Sequence, residues 1–259
     1  MPATTTTFGK LPAIAFSAPD GARAIVTLYG AHLVSWVDAD GRERLFLSEK
    51  SALDGSRAIR GGVPVIFPQF AERGTGMRHG FARVCNWRFE DGAFHLSQAD
   101  LPAAMAQAWP FEFELVFRVT LEERGLALTL EAHNSGSRAF TFASALHSYF
   151  LVDQLALARI DGVQDTPLAI SDKFDQVFQH VAPALALHTG SATLTMEQTG
   201  FVDAVVWNPG AADAAALADM EDTEYQRFVC VEAALIDPPP LAAGASWAGT
   251  SRIKLSSIP

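Results

Sequence analysis

The sequence predicts an all-β fold, a sandwich of large antiparallel sheets, on three observations. Period-2 alternation of apolar and polar residues recurs along the chain, turn residues separate the alternating runs, and only one short stretch has helical composition. The clearest run is 111–121, apolar at every odd position, with Glu112, Glu114, Arg118 and Thr120 on the other face. Glu123-Arg124-Gly125 then turns the chain, alternation resumes over 126–133, and Asn134-Ser135-Gly136 ends it, which predicts an antiparallel hairpin. Ahead of it, 24–36, 45–47 and 81–89 read as strands; after it, so do 140–150, 192–196, 204–207, 228–234 and 250–255. The helical stretch is 211–219, made largely of alanine, the best helix former. Pro238-Pro239-Pro240 with Ala242-Ala243-Gly244 forms a loop before the last strand. Nothing else resembles a linker, so residues 1–259 are expected to form one domain of two extended sheets.

With 259 residues, 49% of them hydrophobic, the chain can bury a large core. Its formal net charge of −10 works against a polyanionic partner, because repulsion opposes encounter with nucleic acid or an anionic membrane. Cys85 and Cys230 each lie in an apolar strand-like run and read as buried free thiols in a reducing compartment, without metal-ligand spacing. The N-terminus has no basic segment followed by an apolar one, and no apolar run approaches the roughly 20 residues that span a bilayer. The expectation is a soluble, cytoplasmic, monomeric protein without nucleic-acid or membrane partners.

Polar groups interrupt the apolar strands in a few places. In 140–150, alternation puts Phe140, Phe142, Leu146 and Phe150 on one face and Thr141, Ala143, Ala145, His147 and Tyr149 on the other. An imidazole among small residues leaves room for a ligand and titrates near neutrality, although a histidine satisfied by a backbone carbonyl would look the same. Glu232 sits in an otherwise apolar strand on the face of Phe228, Cys230 and Ala234. A carboxylate there is paired with a cation such as arginine, hydrogen-bonded, or used as a base. Asp203 stands at a strand entrance, where an ordinary turn aspartate is also common.

Arginines cluster around Arg57, Arg60, Arg78 and Arg83, with Gly61-Gly62 after Arg60 and His79-Gly80 after Arg78. Guanidinium forks match phosphate oxygens, and the glycines let backbone pass close to another group. Ion pairs of Arg57 or Arg83 with Glu72 or Glu90 are the competing reading. Walker-type and dinucleotide-type glycine patterns are absent.

Five segments, 58–70 (AIRGGVPVIFPQF), 79–83 (HGFAR), 145–150 (ALHSYF), Asp203 with 206–209 (VWNP), and 229–232 (VCVE), together resemble the hexose-6-phosphate mutarotases, a branch of the aldose 1-epimerase family, in the family's order from about residue 30 to 255. The resemblance implies a galactose-mutarotase-like β-supersandwich and interconversion of the anomers of a hexose 6-phosphate, glucose 6-phosphate above all. It implies His147 as general acid and Glu232 as general base, with Arg60, Arg83 and Asp203 lining the substrate site and His79 beside them. Where the family often carries glutamine before His-Gly-Phe-Ala-Arg, this chain has Arg78, a further guanidinium that would strengthen phosphate binding. Ring opening needs only an acid and a base on opposite sides of the anomeric centre, so no cofactor and no metal are expected. A free-sugar epimerase and a non-catalytic sugar-phosphate binder are the alternatives.

Overall fold

The computed structural model describes residues 2–257 and contains three antiparallel sheets where two were expected. Four strands in chain order, Ala3–Phe8, Leu11–Ser17, Arg23–Thr27 and His32–Val37, make the first. The expected strand over 24–36 is thus two strands, because the chain reverses at Gly30 and Ala31, both with positive φ. The nine-stranded sheet contains the expected hairpin as Glu114–Glu122 and Gly125–His133, with Phe117 opposite Leu130. The long last strand, Ser246–Ser257, pairs with Gly125–His133 on one side and Ala192–Thr199 on the other.

Apolar content misled the sequence reading where the chain fills the core without forming a ladder. Over 81–89 the chain makes a 3-10 turn at Ala82–Val84, and only Arg88–Glu90 is a strand, while Phe81, Cys85 and Trp87 are buried. Residues 45–47 make isolated bridges only, Leu45 to Phe150 and Leu47 to Gly61. The alanine-rich helix is Gly210–Ala216, which leaves Asp219 beyond its end, and a second short helix, Ala103–Ala108, was not expected.

The six-stranded sheet positions the site. Its order is Phe174–Phe178, Asp203–Asn208, Phe228–Leu235, Ser144–Leu146 and Val65–Ile66, and Tyr149–Leu151 also pairs with Phe228–Leu235. Every residue of Phe228–Leu235 is buried. Val229, Val231, Ala233 and Leu235 join the large core with Leu115, Phe117 and Leu130 of the nine-stranded sheet. The opposite face carries Phe228, Cys230, Glu232 and Ala234.

The neighbouring chain leaves the ladder at His147 and Ser148 and then rejoins it. His147 N–H donates to Pro64 O (3.0 Å) and Tyr149 N–H to Gly62 O (2.9 Å). Leu146 lies opposite Ala233 and Tyr149 opposite Cys230, so the register is the same on both sides of the interruption. That register sets His147 opposite Glu232.

Two glycines let the flanking loops pass close to the sheets. Gly62 has φ +60, and a Cβ there would lie 2.3 Å from Leu33 O; Gly80 has φ +68, and a Cβ would lie 2.1 Å from Phe67 O. Gly80→Ala should therefore lower stability by more than the ~1–2 kcal/mol of a left-handed alanine alone, read as a lower midpoint in urea denaturation.

Candidate active site

The open face of the six-stranded sheet lines a cavity of about 270 Å3. This is slightly below the usual range of roughly 300–1,000 Å3 for ligand sites and suits one small sugar ring. A larger cavity of about 750 Å3 lies across the 71–78 segment and is lined by Phe81, Met105, Trp109 and Phe142. That one holds the exposed Arg73–Asp237 pair and no imidazole, whereas the smaller cavity holds His79 and His147.

His147 Nε2 stands 3.3 Å from Glu232 Oε1, with Glu232 1% exposed and His147 7%. The two groups are in contact, where the sequence reading had an acid and a base on opposite sides of the anomeric centre. Burial pushes the Glu232 carboxyl well above the usual carboxylate range, and the charge of Asp175 adds to this. Burial also pushes the His147 imidazole well below its ordinary value, assisted by His79, Arg60 and Arg83. The protein's own groups therefore favour a neutral pair. Among the described residues, His147 Nδ1 and Glu232 Oε2 have no hydrogen-bond partner, so each retains bonding capacity. Glu232 is not ion-paired with an arginine, and a backbone carbonyl does not satisfy the orphaned ring nitrogen of His147.

Tyr149, two residues on and on the same face, stacks its ring on His147 with centroids 4.8 Å apart and planes 10° apart. Its hydroxyl accepts a hydrogen bond from Arg60 Nη1 at 2.9 Å, and burial raises its pKa so that it stays protonated. Arg60 Nε also meets Asp219 Oδ1 at 3.2 Å, and the guanidinium lies 6.0 Å from the Trp207 ring. The loop after Arg60 is fastened from behind by His32, whose Nε2–H donates to Gly61 O at 2.7 Å. Burial holds the His32 pKa down to about 4, so it does this as a neutral imidazole.

Arg83 donates from Nη2 to Arg78 O at 2.9 Å, and its buried Nε has no partner. Burial lowers its pKa, and the charges of Arg60 and Arg78 lower it further against an opposing effect of Tyr149. No carboxylate among the described residues pairs with it. Arg78 is exposed at the rim, 3.6 Å from Glu72, and Arg88 is the residue that pairs with Glu90. His79, at φ 62, accepts the Ala71 N–H on Nδ1, which leaves its proton on Nε2. Its ring is 5.5 Å from that of His147. Burial and the three arginines hold the His79 pKa down to about 3.

Six of the seven expected site residues, His147, Glu232, Arg60, Arg78, His79 and Arg83, thus line one cavity. Asp203 does not. Its Oδ1 accepts the His180 N–H at 3.1 Å and its Oδ2 the Ile236 N–H at 2.9 Å, so the carboxylate ties two chain segments together. Besides Glu232, the acidic residues at the cavity are Asp175 and Asp219, and Arg57 lies outside it, with Nη2 reaching Lys50 O. Tyr149 and Trp207 lay within recognised segments but had no assigned role. Alternation alone placed Tyr149 on the face of His147.

The model of a family described as aldose 1-epimerase matches residues 12–254. A Cenchrus ciliaris protein named "Putative glucose-6-phosphate 1-epimerase" is 33% identical over 91% of this chain and 82% of its own length. A protein of the same name from Salmonella typhimurium is 30% identical over 85% of this chain and 82% of its own. Among solved structures, a "putative mutarotase (YeaD)" from Salmonella typhimurium superposes with a TM-score of 0.86 at 27% identity, covering 99% of this chain and 94% of that one. The galactose 1-epimerase of Lactobacillus acidophilus shares the fold at a TM-score of 0.71 and 14% identity, with 99% of both chains covered.

Removing the Asp203 carboxylate should be felt in stability. Asp203→Ala leaves the buried Ile236 N–H unpaired, at about 1–3 kcal/mol, with a smaller loss from the less buried His180 N–H. The expected outcome is a lower urea midpoint with the KM of the folded enzyme unchanged. A raised KM in a well-folded variant would return Asp203 to the substrate site.

Proposed function

Since the chain belongs to the aldose 1-epimerase family, we propose that it interconverts the α and β anomers of a hexose 6-phosphate, glucose 6-phosphate foremost, by acid–base ring opening and closure. The observation that carries this reading is the coexistence, in one small cavity, of a buried imidazole–carboxyl pair and a guanidinium cluster in which Arg83 has no acidic partner. Like charges crowded in a partly buried place are relieved by a bound dianion, and arginine forks suit phosphate oxygens. Asp219 and Tyr149 hold the Arg60 fork in place, so its orientation is set before the ligand arrives.

The anomeric oxygen and the ring oxygen are bonded to the same carbon, so an acid and a base in contact can serve both. Glu232, as carboxylate, takes the proton of the C1 hydroxyl. His147, as imidazolium, gives a proton to the ring oxygen as the bond from C1 to that oxygen breaks. The product is an open-chain aldehyde with a C5 hydroxyl. Rotation about C1–C2 presents the other carbonyl face, and reversal of both proton transfers closes the ring to the opposite anomer. The phosphate, held away from C1, anchors the sugar while its reacting end turns.

Glu232→Gln and His147→Ala should each slow anomer exchange by ~10²–10⁴-fold, followed by NMR exchange spectroscopy on glucose 6-phosphate. Glu232→Gln should keep or gain stability, because it removes a carboxyl whose ionised form burial penalises. Near-normal exchange in either folded variant would remove the pair from the mechanism.

Arg83→Ala tests the phosphate end more cleanly than Arg60→Ala, which also abandons Asp219 and Tyr149. It should weaken binding of glucose 6-phosphate by about 1.5–3 kcal/mol, the range of a hydrogen bond to a charged group, and affect free glucose far less. Arg83→Lys should recover part of the loss, since an ammonium keeps the charge without the fork. Equal loss toward both sugars would favour a free-sugar epimerase.

A further inference from the structure

Resting on that reading of the cavity, we propose that its two ends are coupled: a phosphate dianion on the guanidinium cluster moves the proton shared by His147 and Glu232 from the carboxyl onto the imidazole. The phosphate then arms the reaction as well as anchoring the sugar.

A contacting imidazole and carboxyl that hold one proton between them have two forms, the neutral pair and imidazolium with carboxylate. The field at each group decides which prevails. Glu232 faces His147 across the ladder, at 3.3 Å. From its own segment Tyr149 stacks on it, and Tyr149 carries Arg60, itself backed by Asp219. The loop from Arg78 to Arg83 brings the edge of the His79 ring to 5.5 Å, with Arg83 behind it and Arg78 at the rim. Asp175 comes from Phe174–Phe178, separated from the Glu232 strand by Asp203–Asn208. Among these the guanidiniums repel a proton on His147, as does any positive charge on the His79 ring.

The coupling works because the two members of the pair feel different neighbours. Arg60 approaches the pair from the His147 side, through Tyr149 stacked on that ring, and the Arg78–Arg83 loop approaches it through His79, whereas Asp175 belongs to Phe174–Phe178, on the far side of the Glu232 strand. A dianion seated on the arginines therefore changes the potential at the imidazole more than at the carboxyl, and the proton follows it. No proton is taken from solvent: the carboxyl loses one, Nε2 gains one, and the pair reaches the charge state that Glu232 as base and His147 as acid require. An unphosphorylated sugar leaves the arginine field in place and meets a pair that is mostly neutral.

The test uses the full chain with isotope-labelled histidine rings, whose NMR shifts separate imidazole from imidazolium; the His147 signal is assigned by its loss in His147→Gln. The probes are 1,5-anhydroglucitol 6-phosphate and 1,5-anhydroglucitol, which lack the anomeric hydroxyl and cannot react. At saturation the phosphorylated probe should raise the His147 pKa by about 1–3, as expected for a charge nearby, and the unphosphorylated probe should leave it nearly unchanged. In ligand-free Arg83→Gln, which removes one repelling charge, the His147 midpoint should also rise. A saturating phosphorylated probe that leaves His147 neutral, or an unmoved midpoint in folded Arg83→Gln, overturns the coupling while leaving the phosphate site standing. Equal affinity for the two probes overturns the phosphate site itself, and the coupling with it.

Discussion

A carboxyl group in the middle of a wholly buried strand is the constraint around which the rest of the molecule is arranged. Glu232 has Val231 and Ala233 beside it in sequence, both turned into the main core, and Val205 opposite it on the next strand. An ionised carboxylate there is disfavoured by several kcal/mol unless something compensates, in the range known for buried charges. The compensation is local: an imidazole in contact, and a cavity on the open side into which the second oxygen can bond. The strand's other face, packed against the nine-stranded sheet, keeps the carboxyl from escaping to water by rotation of the strand.

The second arrangement is electrostatic. The chain carries a formal net charge of −10, yet three of its arginines, Arg60, Arg78 and Arg83, converge on one cavity. Several surface arginines in this protein are matched by carboxylates, as Arg88 is by Glu90 and Asp100, and Arg118 by Glu131. Arg83 is not matched, and its Nε is both buried and unbonded. An unpaired guanidinium in a partly buried place costs folding free energy, which a bound anion would offset. In the proposed reaction, its position near His147 and Glu232 is what would link recognition to chemistry.

Much of this was legible in the sequence because the relevant signals are local. Alternation through 111–133 marks a hairpin whose register follows from a tight turn, and alternation through 140–150 puts His147 and Tyr149 on one face. Glu232 was conspicuous because a carboxylate is costly in an apolar run. What escaped depends on contacts distant in sequence. Asp203 looks like a site residue on a strand of the right sheet, but backbone N–H groups at His180 and Ile236 claim both of its oxygens. Asp219 reached the cavity because the alanine-rich helix ends at Ala216, and Asp175 because of a strand, Phe174–Phe178, whose alternation is weak. The segment 81–89 read as a strand because apolar residues fill a core equally well from an irregular turn.

The site divides its work between two kinds of structure. His147 and Glu232 are held by a ladder whose register fixes their separation, while Arg60, Arg78, His79 and Arg83 come from loops that need left-handed backbone at Gly62, His79 and Gly80. Loops can change length and charge without disturbing a ladder, so such a division would let one acid–base pair serve different sugars. Coupling through the shared field removes part of that independence. If the arginines set where the proton rests, a loop that lost its cations would relax the pressure on His147, whose imidazolium would then need no dianion to form. A chain that exchanges loop arginines for neutral residues would thus change both which sugar it holds and how its acid is charged, and the two changes favour the same outcome, turnover of unphosphorylated substrates.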